Sequence, residues 1–164
     1  MDELTAKELQ KLLSFASKHG MLPVVMESLN NKRTNEQAKI SIIIYWYGLS
    51  EASKKEYLFR LSLMEEMTMQ FKNDGLDVMF LKGATTARLY PRPELRVFGD
   101  IDYYMFGESD KSIEVLKKMG IETKEYFNHH TQASLNGVLL ENHYDFLDRD
   151  NHKGNLMMDD ELKR

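Results

Sequence analysis

Four consecutive residues, Gly99-Asp100-Ile101-Asp102, carry the densest chemical information in the chain. If Ile101 to Phe106 is a strand, side chains two apart share a face, so Asp100 and Asp102 project together while Ile101 packs behind them. Two like charges held that close require a divalent cation or a proton on one of them. Paired acids beside a glycine turn suit an oxygen-ligand Mg²⁺ site better than a shared proton. Phosphoryl-type chemistry is the corresponding expectation. Further along, Glu141 and His143 are also two apart and share a strand face. Upstream, Gly83 follows the apolar run Leu76 to Leu81 and Lys82. Its missing β-carbon lets a backbone approach a triphosphate, and a helix starting there offers unpaired N–H donors.

These residues need elements to position them. The first 73 residues read as helices. Thr5-Ala6-Lys7-Glu8 is a capping box with Leu4 and Leu9 placed as a hydrophobic staple, and Leu9, Leu12, Leu13 and Ala16 keep one apolar face until Gly20. Pro23 opens a second short helix. Thr34 to Gln37 repeats the capping pattern before Ile40, Ile43, Ile44 and Tyr47, and Gly48 is expected to stop that helix. A long amphipathic segment then runs from Ser50 through Phe71, with Leu58, Leu61, Met64 and Phe71 inward, and ends at Asn73-Asp74-Gly75. Asn30 to Thr34 is the one linker candidate. From residue 76 the pattern shifts. Leu76 to Leu81 is a strand, Gly83 to Tyr90 a helix, and Pro91 and Pro93 force an extended connection. Ile101 to Phe106 is a second strand, Ser109 caps a helix that Gly120 ends, and Ile121 to Phe127 returns as a third strand. Asn136-Gly137 is a hairpin signal between His130 to Leu135 and Val138 to Phe146. The segment from 148 to 164 is polar, shows no end cap, and reads as a flexible or truncated tail.

Bulk composition narrows the function. The chain has 164 residues, enough for one domain with a real core, and a net charge of −4 without a Lys/Arg block, which disfavours nonspecific DNA binding. It contains no cysteine, which excludes disulfides, thiolate catalysis and thiolate metal sites. The acidic start Met1-Asp2-Glu3-Leu4 is unlike a signal peptide, and Ile40 to Leu49 is too short to span a bilayer, so a cytoplasmic protein without membrane contact is expected.

The string Leu81-Lys82-Gly83, then Arg96, then Gly99-Asp100-Ile101-Asp102, then Glu141-x-His143 resembles the nucleotidyltransferase superfamily, and within it a poorly characterised bacterial branch. The resemblance covers about Val78 to Phe146. It implies an α+β fold with a nucleotidyltransferase-like mixed β-sheet and flanking helices, preceded by an N-terminal helical segment. The implied organisation is a helical segment over 1–75 packed on a catalytic core over 76–147, followed by the tail from 148. By position, Asp100, Asp102 and Glu141 become the metal-binding and catalytic acids. Gly83 with Lys82 receives the triphosphate, and Arg96 and Gly99 belong to the same nucleotide-binding pattern. Where the superfamily often has serine after the glycine this chain has Ala84, and Thr85 and Thr86 are the hydroxyls that can substitute. The implied cofactor is Mg²⁺ or Mn²⁺, and the implied substrate is a nucleoside triphosphate, ATP by preference. The acceptor stays open among small molecule, protein and RNA, as does a protein partner or homo-oligomer.

Each assignment has a plainer competitor. An isolated Asp-x-Asp pair is often surface chemistry, and Glu141 and His143 can form a solvated strand face. His143 could orient a ligand or act as a base, although no partner is legible. Arg88 and Arg92 read as solvated charges. His129 and His130, without cysteine or helical spacing, read as strand-edge hydrogen-bonding groups rather than zinc ligands. Met64, Met67 and Met69, and Tyr45, Trp46 and Tyr47, read as core. The leading functional expectation is transfer of a nucleoside monophosphate to an acceptor. The rivals are a noncatalytic regulatory or toxin–antitoxin-type module with the same fold, and a metal-dependent phosphohydrolase.

Overall fold

A computed structural model describes residues 4–29, 37–126, 129–147 and 152–163. Six α-helices and five strands run in the order α1 (Ala6–Lys18), α2 (Leu22–Leu29), α3 (Gln37–Asn73), β1 (Met79–Leu81), α4 (Gly83–Ala87), β2 (Ile101–Tyr104), α5 (Ser109–Lys118), β3 (Thr123–Tyr126), β4 (His130–Leu135), β5 (Val138–His143) and α6 (Lys153–Leu162), with a 3₁₀ turn at Pro93–Leu95 between α4 and β2. The chain divides into two units, Met1–Phe59 with Thr86–Phe98, and Arg60–Thr85 with Gly99–Arg164. Among the described residues no helix is long and apolar enough to cross a membrane.

The first unit is helical. The capping box forms: Thr5 Oγ1 accepts from the Glu8 N–H, and the Glu8 carboxylate accepts from the Thr5 N–H at 2.9 Å. Leu9, Leu13, Leu22, Met26 and Trp46 make its buried cluster, and the Trp46 indole N–H donates to Gln10 Oε1 at 3.1 Å. A buried indole stays soluble in apolar surroundings when its polar edge is satisfied in this way. Gly48 does not stop the helix. It lies inside α3, which continues to Asn73. An interior glycine costs only about 1 kcal/mol relative to alanine, and buried Trp46 and Ser50 on either side anchor the helix. Of the three aromatic neighbours only Trp46 is core, while Tyr45, Tyr47, Leu58 and Met69 are exposed. The linker candidate Asn30 to Thr34 and the Thr34 cap lie outside the described residues.

The second unit is built on a five-stranded mixed sheet in the order β1-β2-β5-β4-β3. Among the described residues only β2 and β5 pair in parallel, which requires a crossover, and α5 lies within that connection. Asn136 and Gly137 both adopt positive φ, 51° and 81°, so the β4–β5 hairpin closes through the two-residue turn that Asn-Gly favours. At the end of α3, Gly75 takes φ 75° and the Leu76 N–H donates to the Phe71 carbonyl at 2.9 Å, a left-handed stop. Residues 153–162, which carry no terminal signal in sequence, form α6. Its Asp159 is buried and accepts from the N–H groups of Phe146, at 2.6 Å, and Leu147, at 3.1 Å.

Alternation along the strands sorts the sheet into two faces. Ile101 and Tyr103 of β2, Leu140 and Val138 of β5, and Ala133 and Leu135 of β4 join Phe71, Met67, Val115 and Leu116 in the core. Intervening residues therefore project from the opposite face. Leu140, fully buried on the central strand β5, tests this division. Leu140→Ala is expected to destabilise the protein by about 2–5 kcal/mol in urea unfolding. A loss below about 1 kcal/mol would place the packed centre elsewhere.

Candidate active site

The face opposite the core carries the acids. In the β2–β5 register Asp102 stands beside Glu141, and in the β4–β5 register Glu141 faces Gln132 while His143 faces His130. Asp102 is 3% exposed, and its Oδ1 lies 2.9 Å from His143 Nε2 and 3.0 Å from Lys82 Nζ. His143 Nε2 is also 3.6 Å from Glu141 Oε2, and Gln132 Nε2 donates to Glu141 Oε1 at 2.9 Å. Ligand atoms of Asp102, Glu141 and His143 all lie within 4.8 Å of one another, as do ring nitrogens of His129, His130 and His143.

Burial opposes ionisation of Asp102. The hydrogen bonds from His143 and Lys82 and their positive charge outweigh it, so the carboxyl titrates below its ordinary value of 3.8. His130 moves the other way for its charged form: burial lowers its pKa from 6.5, against the pull of Glu141. Tyr103, buried in the core, is raised well above its ordinary value by desolvation.

The turn from β1 into α4 delivers Lys82. Lys82 and Gly83 both take positive φ, 46° and 29°, the first unusual for a residue with a β-carbon. This sharp turn sends the lysine side chain back across β2, where Leu81 pairs with Asp102. Thr85 is exposed, and its hydroxyl donates to the Phe80 carbonyl at 2.9 Å, which fixes the turn. The helix that follows is only five residues long, so its dipole is small.

The remaining predicted residues are members of neither ligand group. Asp100 is half-buried, directly precedes β2, and belongs to neither ligand group. Gly99 is exposed, has open space where a Cβ would stand, and its carbonyl accepts from Arg60 Nε at 2.9 Å. Thr86 and Arg96 belong to the first unit, where the Arg96 guanidinium sits 5.8 Å from the Tyr90 ring centroid. Three residues with weak or no sequence signal line the acids or extend the cluster: His130, His129 and Gln132. The signal that finds them is the hairpin register. A two-residue turn pairing Leu135 with Val138 sets Gln132 opposite Glu141 and His130 opposite His143.

An α+β protein with a buried carboxylate–imidazole centre on one face of a mixed sheet is the class that fold and site define. The chain belongs to the family described as uncharacterised nucleotidyltransferase, whose model matches residues 5–164. No curated protein matches the sequence. Two solved structures are similar over 52% of this chain at 22% identity and a TM-score of 0.45: the crystal structure of ANT(2'')-Ia in complex with adenylyl-2''-tobramycin and the solution structure of the antibiotic-resistance factor ANT(2'')-Ia. The aligned region spans 49% and 46% of those chains, about half of each.

The depressed pKa of Asp102 has a definite sign. Its contribution to stability is full above pH 3.8 and is lost as pH falls from there through the folded-state value. In the metal-free protein, a carboxyl-carbon NMR titration is expected to place the Asp102 midpoint below 3.8 and to move it up in Lys82→Met. A midpoint unchanged by that substitution would remove Lys82 from the charge balance.

Proposed function

We propose that this chain transfers a nucleoside monophosphate from a nucleoside triphosphate, with ATP as the first choice, to an acceptor hydroxyl and releases pyrophosphate, with Mg²⁺ or Mn²⁺ as cofactor. The observation that carries this reading is the side-by-side placement of Asp102 and Glu141 on neighbouring parallel strands, with ligand atoms within 4.8 Å. Residues 76–147 would hold the catalytic core.

The donor chemistry fits a divalent ion. Two carboxylates converge on one point, and the buried one already has hydrogen-bonding partners in Lys82 and His143. A divalent cation is the stronger neutraliser of such a pair and prefers oxygen donors. Asp102 and Glu141 would hold it, with Asp100 contributing from the end of β2. When bound it would neutralise triphosphate oxygens and stabilise charge on the attacking and leaving groups. The rest is work for the protein's own side chains. His143 keeps Asp102 oriented and ionised. Lys82 lies 65% exposed along its side chain, so its ammonium can exchange Asp102 for a phosphate oxygen. The Gly83 backbone N–H and Thr85 would form the triphosphate seat, with Gly99 in the same nucleotide-binding set. Glu141 lies where an acceptor hydroxyl could surrender its proton, and the Gln132 amide holds the carboxylate in place for this. The acceptor class stays among small molecules, proteins and RNA, because fold does not choose it.

Calorimetry with ATP decides the site. Wild type is expected to bind ATP in a Mg²⁺-dependent manner, and the Asp100→Ala/Asp102→Ala double variant is expected to lose that binding. Equal affinity in both proteins would remove the proposed centre. With labelled ATP and a desalted cell extract as acceptor source, Glu141→Gln should lower transfer of the label by about 10²–10⁴-fold.

A further inference from the structure

His129, His130 and His143 form a cluster that nucleotidyl transfer does not require. Their ring centroids are 4.5 Å (129 to 130), 5.3 Å (130 to 143) and 5.7 Å (129 to 143) apart. One ring nitrogen from each lies within 4.8 Å of the others. His130 and His143 are buried and His129 is half-buried. The backbone also fixes the group: His130 and His143 are register partners on β4 and β5, and the His129 carbonyl accepts from the Tyr144 N–H at 3.1 Å.

The tautomer of His143 follows from its neighbour. A carboxylate oxygen only accepts, so the Nε2 facing Asp102 at 2.9 Å carries the proton. In a neutral imidazole the other nitrogen, Nδ1, is then a bare lone pair. That Nδ1 is buried and has no hydrogen-bond partner among the described residues, and the same is true of His129 Nδ1. Buried nitrogen lone pairs without a donor are uncommon because they forgo solvation without compensation. A carboxylate that fixes one imidazole nitrogen and leaves the other without a donor is the arrangement that orients histidine toward a metal. Imidazole nitrogens suit Zn²⁺ and its transition-metal neighbours, whereas Mg²⁺ takes oxygen donors.

We propose that His129, His130 and His143 form a nitrogen-donor site for a divalent transition-metal ion of the Zn²⁺ class. It is distinct in donor chemistry from the Asp102–Glu141 carboxylate pair, and His143 links the two. This inference does not depend on the nucleotidyl-transfer reading.

The test uses the full-length metal-free protein with Zn²⁺ alone, followed by calorimetry and by NMR of the histidine side chains. The chain has five histidines, so His19 and His152 serve as internal controls. A single equivalent of Zn²⁺ is expected to bind in the presence of excess Mg²⁺, moving the ring signals of His129, His130 and His143 and leaving those of His19 and His152. His129→Ala and His130→Ala should each weaken Zn²⁺ by about tenfold or more, while Glu141→Gln retains it. Zn²⁺ that excess Mg²⁺ displaces, or that Glu141→Gln abolishes while both histidine variants keep it, overturns the proposal. If a histidine variant fails to fold, the wild-type ring signals decide alone: three unmoved rings on saturation with Zn²⁺ overturn it equally.

Discussion

The Asp102 carboxylate, 3% exposed and held between His143 and Lys82, is the interaction on which the site depends. An ionised carboxylate removed from water carries a penalty of several kcal/mol unless charge and hydrogen bonds replace the lost solvation. Here both replacements converge on one oxygen. Removing either partner would leave the other to compensate a buried charge, which is why the positions of Lys82, Asp102 and His143 are linked although they are far apart in the chain. Glu141 adds a second negative charge nearby and raises the demand for cations. His143 lies between the two acids, within 3.6 Å of the nearer Glu141 oxygen.

The sheet enforces this arrangement through parity. Every second residue of β2, β4 and β5 enters the apolar core: Ile101 and Tyr103, Ala133 and Leu135, Val138 and Leu140. Burial of those side chains locks the register, because a slip of one residue would turn Leu140 to the opposite face and Glu141 into the core. The same alternation therefore stabilises the fold and collects Asp102, Gln132, His130, Glu141 and His143 on one surface. Asn142, on the core-facing side, satisfies its amide through Ser112 Oγ at 2.6 Å and the Ser109 carbonyl at 3.2 Å, tying β5 to α5.

Much of this was legible from residue types. Asn136-Gly137 identified the turn between β4 and β5 and with it the two extended segments, because that signal is local. The Thr5–Glu8 capping box is equally local and forms as read. Gly48 misleads because helix propensity is a weak term beside the burial of Trp46 and Ser50 on either side of it. The tail misleads in the opposite direction. The stabilising contact of α6 is buried Asp159 capping the N–H groups of Phe146 and Leu147, a tertiary bond with no sequence periodicity. In the site, the proximity of Glu141 to Asp102 depends on a parallel pairing across 39 residues, and resemblance rather than local pattern pointed to it. His130 and Gln132 were within reach of the hairpin register, since a two-residue turn fixes every cross-strand pair, but their own residue types argued for nothing in particular.

The two hydrogen-bonding partners of Asp102 differ in a way that matters for chemistry. His143 is nearly fully buried, belongs to a central strand, and cannot leave without opening the sheet. Lys82 reaches the same oxygen from a left-handed turn at φ 46°, with 65% of its side chain in solvent. A backbone conformation of that kind costs on the order of 1–3 kcal/mol and persists only where its surroundings impose it, here the Thr85 bond to Phe80 and the pairing of Leu81 with Asp102. The strain thus positions the lysine, while its exposed stem leaves the ammonium cheap to redirect. Asp102 consequently has one permanent and one exchangeable hydrogen-bond donor. An incoming cation or anionic ligand can exchange with the second and leave the first, along with the core behind it, undisturbed.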